Sequence, residues 1–157
     1  MADPEDPEEV GHIFTDEPAI GVAISDSYAY IACLSSIKII SIEEPENPQT
    51  VAQIEQLYCS NLTVAGDLIY VACRHRGLRI ISIADPANPH EVGYCDTPDR
   101  AEDVDLSGDF AYLTGNGGIS IISITEPENL SRLGSITGGG YRGWASPFPV
   151  TMPISLQ

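Results

Sequence analysis

One short pattern recurs along this chain at a fixed spacing, and it limits the fold more than any other feature. An apolar run closed by a proline-punctuated turn appears as Ile39-Ile40-Ser41-Ile42-Glu43-Glu44-Pro45, again as Ile80-Ile81-Ser82-Ile83-Ala84-Asp85-Pro86, and again as Ile121-Ile122-Ser123-Ile124-Thr125-Glu126-Pro127. Pro4, Pro45, Pro86 and Pro127 stand 41 residues apart, as do Gly11, Ala52, Gly93 and Gly134. Self-similarity at this period marks an array of units, each of which buries its apolar face against a neighbour. The pattern is entered part-way through a unit. Residues 1–20 read as a lone outer strand (8–14) with its linker, residues 21–60, 61–102 and 103–138 as full repeats, and residues 139–157 as a non-repeat tail that caps or swaps.

Within a unit the apolar residues alternate or run in groups of four to six between Gly, Asp, Ser and Pro, which is the pattern of short strands and tight turns. In the second unit the strands, a to d, are expected at 61–64, 68–73, 78–83 and 90–94. Ala65-Gly66-Asp67 and Ser107-Gly108-Asp109 turn a into b, glycine supplying a positive φ without a Cβ clash. Asp85-Pro86 turns c into d, where an Asx turn and the fixed φ of proline cooperate. No segment has a helical period with caps. The fold class expected is all-β: β-propeller blades, each a four-stranded antiparallel meander. A linear all-β solenoid is the rival, with shorter coils and no internal hairpins.

Propellers close with about four to eight blades, and three and a fraction are present. The end blades would leave apolar flanks in water. The partial propeller is therefore expected to close by homo-oligomerisation, most simply as a two-fold dimer that makes a ring of six to eight blades. The competing account is a fragment of a larger protein, with the tail Gly143-Trp144-Ala145-Ser146-Pro147-Phe148-Pro149 as its cap.

Ala29-Tyr30-Ile31-Ala32, Tyr70-Val71-Ala72 and Ala111-Tyr112-Leu113, each followed by a segment such as Leu78-Arg79-Ile80-Ile81-Ser82-Ile83-Ala84-Asp85-Pro86, resemble the LVIVD repeat over about residues 3–137. The resemblance implies a β-propeller, commonly in secreted or cell-surface proteins, and carries no catalytic residues over to this chain. Ser41, Ser82 and Ser123 stand where that family often has Asp.

Charge narrows the partners. Seven basic residues against 23 acidic give a net charge of −16, which repels the phosphate backbones that basic side chains neutralise; nucleic acid is not an expected partner. No apolar run approaches the ~20 residues of a membrane-spanning helix. Met1-Ala2-Asp3-Pro4 opens an acidic stretch without the features of a secretory signal. Of the four cysteines, Cys33 and Cys73 hold equivalent places on neighbouring units, where they could pair, share a metal with His75, or fill strand ends as buried thiols.

In a four-stranded meander the b–c hairpins and d–a connections emerge on one face. That face gathers Arg74, His75 and Arg76 with Tyr58-Cys59-Ser60, with Asp99, Arg100, Glu102 and Asp103, and with Tyr141-Arg142. The basic cluster suits a carboxylate or the acidic rim of a partner; otherwise it is a solvated hairpin tip. Asp96, Asp99, Glu102, Asp103 and Asp105 are the oxygen ligands a hard cation takes, but their spacing fits no known ligand loop, so no metal or cofactor is expected. Asp103 and Asp105 alternate along one strand and share a side. Gly138-Gly139-Gly140 lacks the Lys and helix start of a phosphate loop. Asn61-Leu62-Thr63 and Asn129-Leu130-Ser131 match the glycosylation pattern, and Tyr30, Tyr70 and Tyr112 recur as packing residues.

Two functions follow. One is a non-catalytic interaction module that binds a protein or glycan through its loop face. The other is an enzyme at the channel mouth, with His75 as acid or base beside the carboxylates of Asp99 to Asp103. The first requires these side chains to lie open to solvent; the second requires one of them in a pocket.

Overall fold

A computed structural model describes residues 7–137 of the chain. The strands form three antiparallel meanders of four. Blade 1 is β1 (Ala19–Ser25), β2 (Tyr28–Cys33), β3 (Ser36–Ser41) and β4 (Gln49–Glu55); blade 2 is β5 (Asn61–Ala65), β6 (Leu68–Ala72), β7 (Leu78–Ser82) and β8 (His90–Cys95). Blade 3 is β9 (Ala101–Ser107), β10 (Phe110–Gly115), β11 (Gly118–Ser123) and β12 (Ser131–Thr137). The second unit differs from its sequence expectation by single residues: Cys73 and Ile83 fall just outside β6 and β7, while Ala65 and Cys95 join β5 and β8. None of the described residues forms a helix long and apolar enough to cross a membrane.

The sheets converge at their first strands. β1 lies against β5 and β5 against β9, whereas the fourth strands do not touch one another to a comparable extent. This radial fan is the arrangement of propeller blades and not of a linear stack. A register shift recurs at the same point of every outer pair, at Ile39/Ile40, Ile80/Ile81 and Ile121/Ile122; such bulges raise the local twist and turn the outer strand.

The turns form as their residues dictate. Gly66 and Gly108 each have φ 55° in the a–b turn, and Asp26, with φ 50°, takes that place in blade 1. In the c–d turn Asp85 Oδ1 accepts the Ala87 N–H at 3.1 Å and Asp85 O accepts the Asn88 N–H at 2.9 Å. Hydrogen bonds from Asn88 first, and from the Ala87 amide second, hold the Asp85 carboxyl below its ordinary pKa.

Two apolar seams hold the blades together. Tyr30, Ala32, Ile37 and Ile39 of blade 1 meet Leu62, Ile69, Val71 and Ile81 of blade 2. Tyr70, Ala72, Leu78 and Ile80 then meet Val104, Ala111, Leu113 and Ile122 of blade 3. Tyr30 and Tyr70 are core residues, and burial pushes both phenols up in pKa.

Among the described residues the outer flanks lack such partners. Val22 occupies in blade 1 the place of Leu62 in blade 2, yet it is 62% exposed against 4%. On the far side Ile119 of blade 3 corresponds to Leu78, and the exposures are 37% and 0%. Ile20, Ile24 and Ile136 are also exposed along these flanks.

The lone strand expected at 8–14 does not form: residues 11–18 alternate between half-buried and exposed, but no ladder is made because no c strand stands beside them. The segment lies across the outer part of blade 1 as a strap. A Cβ on Gly11 would fall 2.0 Å from the Pro45 carbonyl oxygen, as one on Gly93 would fall 1.8 Å from that of Pro127. The strap therefore occupies the seat of a preceding blade's outer strand.

Candidate functional site

The meander places the b–c hairpins and the d–a connections at one end of the fan, and their backbones interlock there. Arg74 N donates to Ala101 O at 3.0 Å and Ala101 N returns a bond to Arg74 O at 2.9 Å. Arg76 Nη1 donates to Gln56 O at 2.9 Å, and Leu57 N to Ser35 O at 3.1 Å. The hairpin Cys73–Gly77 thus spans from the entry of β5 to the start of β9.

This end also holds the strained backbone. Gln56 (φ 63°), Tyr58 (φ 48°) and Arg74 (φ 44°) are left-handed without being glycine, a conformation that costs about 1–3 kcal/mol per residue and gathers where loops bind. Leu57 and Cys59, buried on either side of Tyr58, hold the loop in that shape and leave the Tyr58 ring exposed.

Three of the seven basic residues sit here. Arg74 and Arg100 are half-buried, and Arg76 is exposed. Among the described residues the Nε–H groups of Arg74 and Arg100 have no acceptor; the Glu102 carboxylate lies 3.6 Å from Arg100 Nε, an ion pair too long for a hydrogen bond. His75, Asp99, Glu102 and Asp103 are exposed. Beside Asp99, Arg100 and Thr97 lies a cleft of about 10 Å³, barely the room of one water molecule. The larger open clefts lie on the outer rim, one of about 560 Å³ at Val92 and Pro127 and one of about 440 Å³ at Val10 and Pro45. They are repeat-equivalent and follow from blade packing.

The acidic residues of β9 serve the sheet. Asp103 Oδ1 accepts the Val104 N–H at 2.9 Å and Asn61 Nδ2 at 2.6 Å, and Asp105 Oδ1 accepts the Leu106 N–H at 2.8 Å. Asp103 and Asp105 do alternate on β9, both exposed. Among the described residues no group of three or more His, Cys, Asp or Glu is placed to hold a metal ion.

Cys33, Cys59 and Cys73 are buried free thiols, so Cys33 and Cys73 take the last of the three arrangements open to them; Cys95 is half-buried and free. Cys59 is pushed far up in pKa, first by its hydrogen bond with Cys73 and then by burial, and burial raises Cys33 and Cys95. Thiols kept protonated in this way are poor nucleophiles. Tyr141-Arg142 and Gly138-Gly139-Gly140 lie outside the described residues.

Two arrangements escaped the sequence reading. Arg79, 6% exposed on β7, donates from Nη2 to Asp96 Oδ1 at 2.7 Å and lies 4.5 Å from the centre of the Tyr94 ring. Its trace in the sequence is a cation inside an apolar run, repeated as Lys38 one period earlier. The second is the anchor of the strap. Lys38 Nζ donates to Asp16 Oδ2 at 2.9 Å, while Glu17 Oε2 accepts the Ser35 N–H and Oγ–H, each at 2.7 Å.

The anchor titrates. The hydrogen bond from Lys38 holds Asp16 below its ordinary pKa, those from Ser35 hold Glu17 below its own, and Asp16 raises Lys38. The two depressed carboxyls favour the docked strap above their free values and lose that contribution as pH falls through the docked ones; the raised amine acts until pH climbs through its own docked value. The strap is expected to stay docked between about pH 5 and pH 10 and to loosen below about pH 4. Amide exchange at residues 11–17, compared at pH 7 and pH 3 after correction for intrinsic rates, measures this.

A model of the LVIVD repeat matches residues 18–54, 58–97 and 99–137. No curated protein matches the sequence. Among solved structures, the computationally designed Ika4 protein superposes with a TM-score of 0.65 at 13% identity, covering 87% of this chain and 81% of Ika4. The designed Ika8 protein gives 0.63 at 12% identity, over 78% of this chain and 37% of Ika8. Kluyveromyces lactis Hsv2 gives 0.55 at 16% identity, over 80% of this chain and 38% of Hsv2. At such identities the likeness is one of fold, and the chain spans little more than a third of the length of Ika8 and of Hsv2.

Proposed function

We propose that this chain, which belongs to the LVIVD repeat family, is a non-catalytic interaction module that takes a carboxylate-bearing protein or glycan at its loop end. The observation that carries the reading is the pair of half-buried guanidiniums at this end, Arg74 and Arg100, whose Nε–H groups, like that of Arg79 on β7, have no acceptor among the described residues. A buried donor left without a partner is unfavourable by about 1–3 kcal/mol, and a bound carboxylate relieves it. Exposed Arg76 adds a further fork of donors and Tyr58 a flat apolar face. The left-handed backbone at Gln56, Tyr58 and Arg74 keeps this surface formed before a partner arrives. The enzyme reading has less to rest on, because His75 and its neighbouring carboxylates stand in open solvent.

Titration with a trigalacturonate and with a tetraglutamate peptide, followed by NMR of the arginine Nε–H groups, tests the reading. Shifts confined to Arg74, Arg76 and Arg100, and lost in Arg74→Gln with Arg100→Gln, are the expected result. Shifts spread evenly over Arg79 and Arg132 as well, or none with either probe, would contradict it.

Two copies close the ring. The flank of blade 1 that bares Val22 and the flank of blade 3 that bares Ile119 are the two halves of a blade–blade joint already formed twice within the chain. A two-fold axis along the channel brings each free flank of one copy onto the opposite flank of the other. Light scattering is expected to give twice the 16.8 kDa of one chain at high protein concentration; a mass that stays at one chain throughout would contradict closure.

A further inference from the structure

We propose that the strap, residues 8–14, is a placeholder in the seat that β12 of a second copy takes when the ring closes, so that self-association is held in check by the chain's own N-terminal segment. The inference rests on the self-association reading above and adds to it the docking partner and the device that opposes docking.

One glycine position recurs in the outer strands. Gly11, Gly93 and Gly134 fall in phase, and a glycine inside a strand weakens it unless another backbone must come close. For Gly11 and Gly93 the close backbone is present, the carbonyl of Pro45 and that of Pro127. Around Gly134 none of the described residues lies within 4 Å of an added Cβ. β12 is thus shaped to receive a c–d turn that none of the described residues brings to it.

Only one turn can serve. The Pro127 turn already receives Gly93, and the Pro86 turn belongs to the joint between blades 1 and 2, where Ala52 stands in phase. The remaining turn is that of Pro45, on the blade whose flank is bare, and Gly11 occupies it. β12 (Ser131–Thr137) follows residues 8–14 by three periods, so β12 of a second copy and the strap require the same seat.

The strap holds that seat without filling it. It makes no strand ladder, a cleft of about 310 Å³ remains between it and Ile31 and Ile40, and Val10 and Phe14 point into solvent at 65% and 85% exposure. Its fixed points are Asp16 and Glu17, at the end that leads into β1. A whole blade would bury Val22 and Ile24 as well, which the strap leaves bare. A second copy therefore offers the larger apolar contact, and the strap an intramolecular one that dilution does not remove.

Sedimentation equilibrium on full-length variants tests the competition. Gly11→Val puts side-chain atoms into the Pro45 carbonyl and expels the strap, and is expected to tighten dimerisation at least tenfold. Asp16→Asn with Glu17→Gln loosens the same segment without touching Pro45 and should act in the same direction. Gly134→Val blocks the incoming β12 and should weaken the dimer at least tenfold, also when combined with Gly11→Val. Circular dichroism and urea unfolding of each variant show whether it keeps the fold, and either strap variant decides the question if the other does not fold. A dimer constant unchanged or weakened in the strap variants would overturn the inference while leaving self-association standing. Wild type and all variants monomeric at millimolar concentration would remove self-association itself.

Discussion

Leu62→Ala is expected to lower the free energy of unfolding by about 3 kcal/mol, and Val22→Ala, at the equivalent position one blade earlier, by less than about 0.5 kcal/mol. The two side chains have the same place on the same strand of the same repeat. Leu62 is packed among Tyr30, Ile37 and Ile39 across the first seam, and its truncation adds a cavity to the lost transfer free energy. Val22 faces water and has little of either to lose. Urea denaturation at low micromolar concentration measures the contrast. Equal losses at the two sites would mean that the flank of blade 1 is covered in the dilute protein. The gap should narrow as concentration rises, because closure of the ring turns Val22 into a seam residue.

A charge separates the two flanks of the repeat still more widely. Leu78→Asp places a carboxylate in the apolar seam between blades 2 and 3, and a destabilisation of about 5 kcal/mol or more is expected. That is comparable with the whole stability of a domain of this size, so the variant should be largely unfolded at 25 °C. Ile119→Asp is the same change one period later, on the free flank. It should alter stability by less than about 1 kcal/mol and abolish dimerisation, since closure would bury the new carboxylate. Circular dichroism reads the first outcome and sedimentation the second. A folded Leu78→Asp protein, or a dimeric Ile119→Asp protein, would break the equivalence between internal seam and outer flank.

Much of this architecture was legible because the determinants are local and periodic. Pro45, Pro86 and Pro127 fix the period, Gly66 and Gly108 mark the a–b turns, and the alternating apolar runs place the strands of the second unit to within a residue. The strand expected at 8–14 does not form, although the phase of Gly11 was legible. Its lack of a ladder follows from the missing neighbour and not from its own residues.

The contents of the loop end were harder to read. The hairpin Arg74-His75-Arg76 and the Asp99 to Asp103 stretch were correctly brought to one face, because strand order alone dictates it. Which of their groups are held and which are free depends on contacts across the fan. Arg74 pairs through its backbone with Ala101, and Arg76 finds Gln56, partners 20 or more residues away that obey no period. The left-handed φ values of Gln56 and Tyr58 arise from the same tertiary packing. Arg79 escaped notice for a related reason: an isolated cation in an apolar run is read as a surface residue until Asp96 and the Tyr94 ring are seen to enclose it.

Ring closure as proposed requires both bare flanks to be halves of one unfinished joint. Methyl NMR of Val22, Ile24 and Ile119 against protein concentration tests it most directly, with Leu62 and Leu78 as internal references. The expected result is that the three flank signals move together along one binding curve while the two references hold still. Flank methyls that keep their solvent-exposed shifts from micromolar to millimolar protein would contradict it.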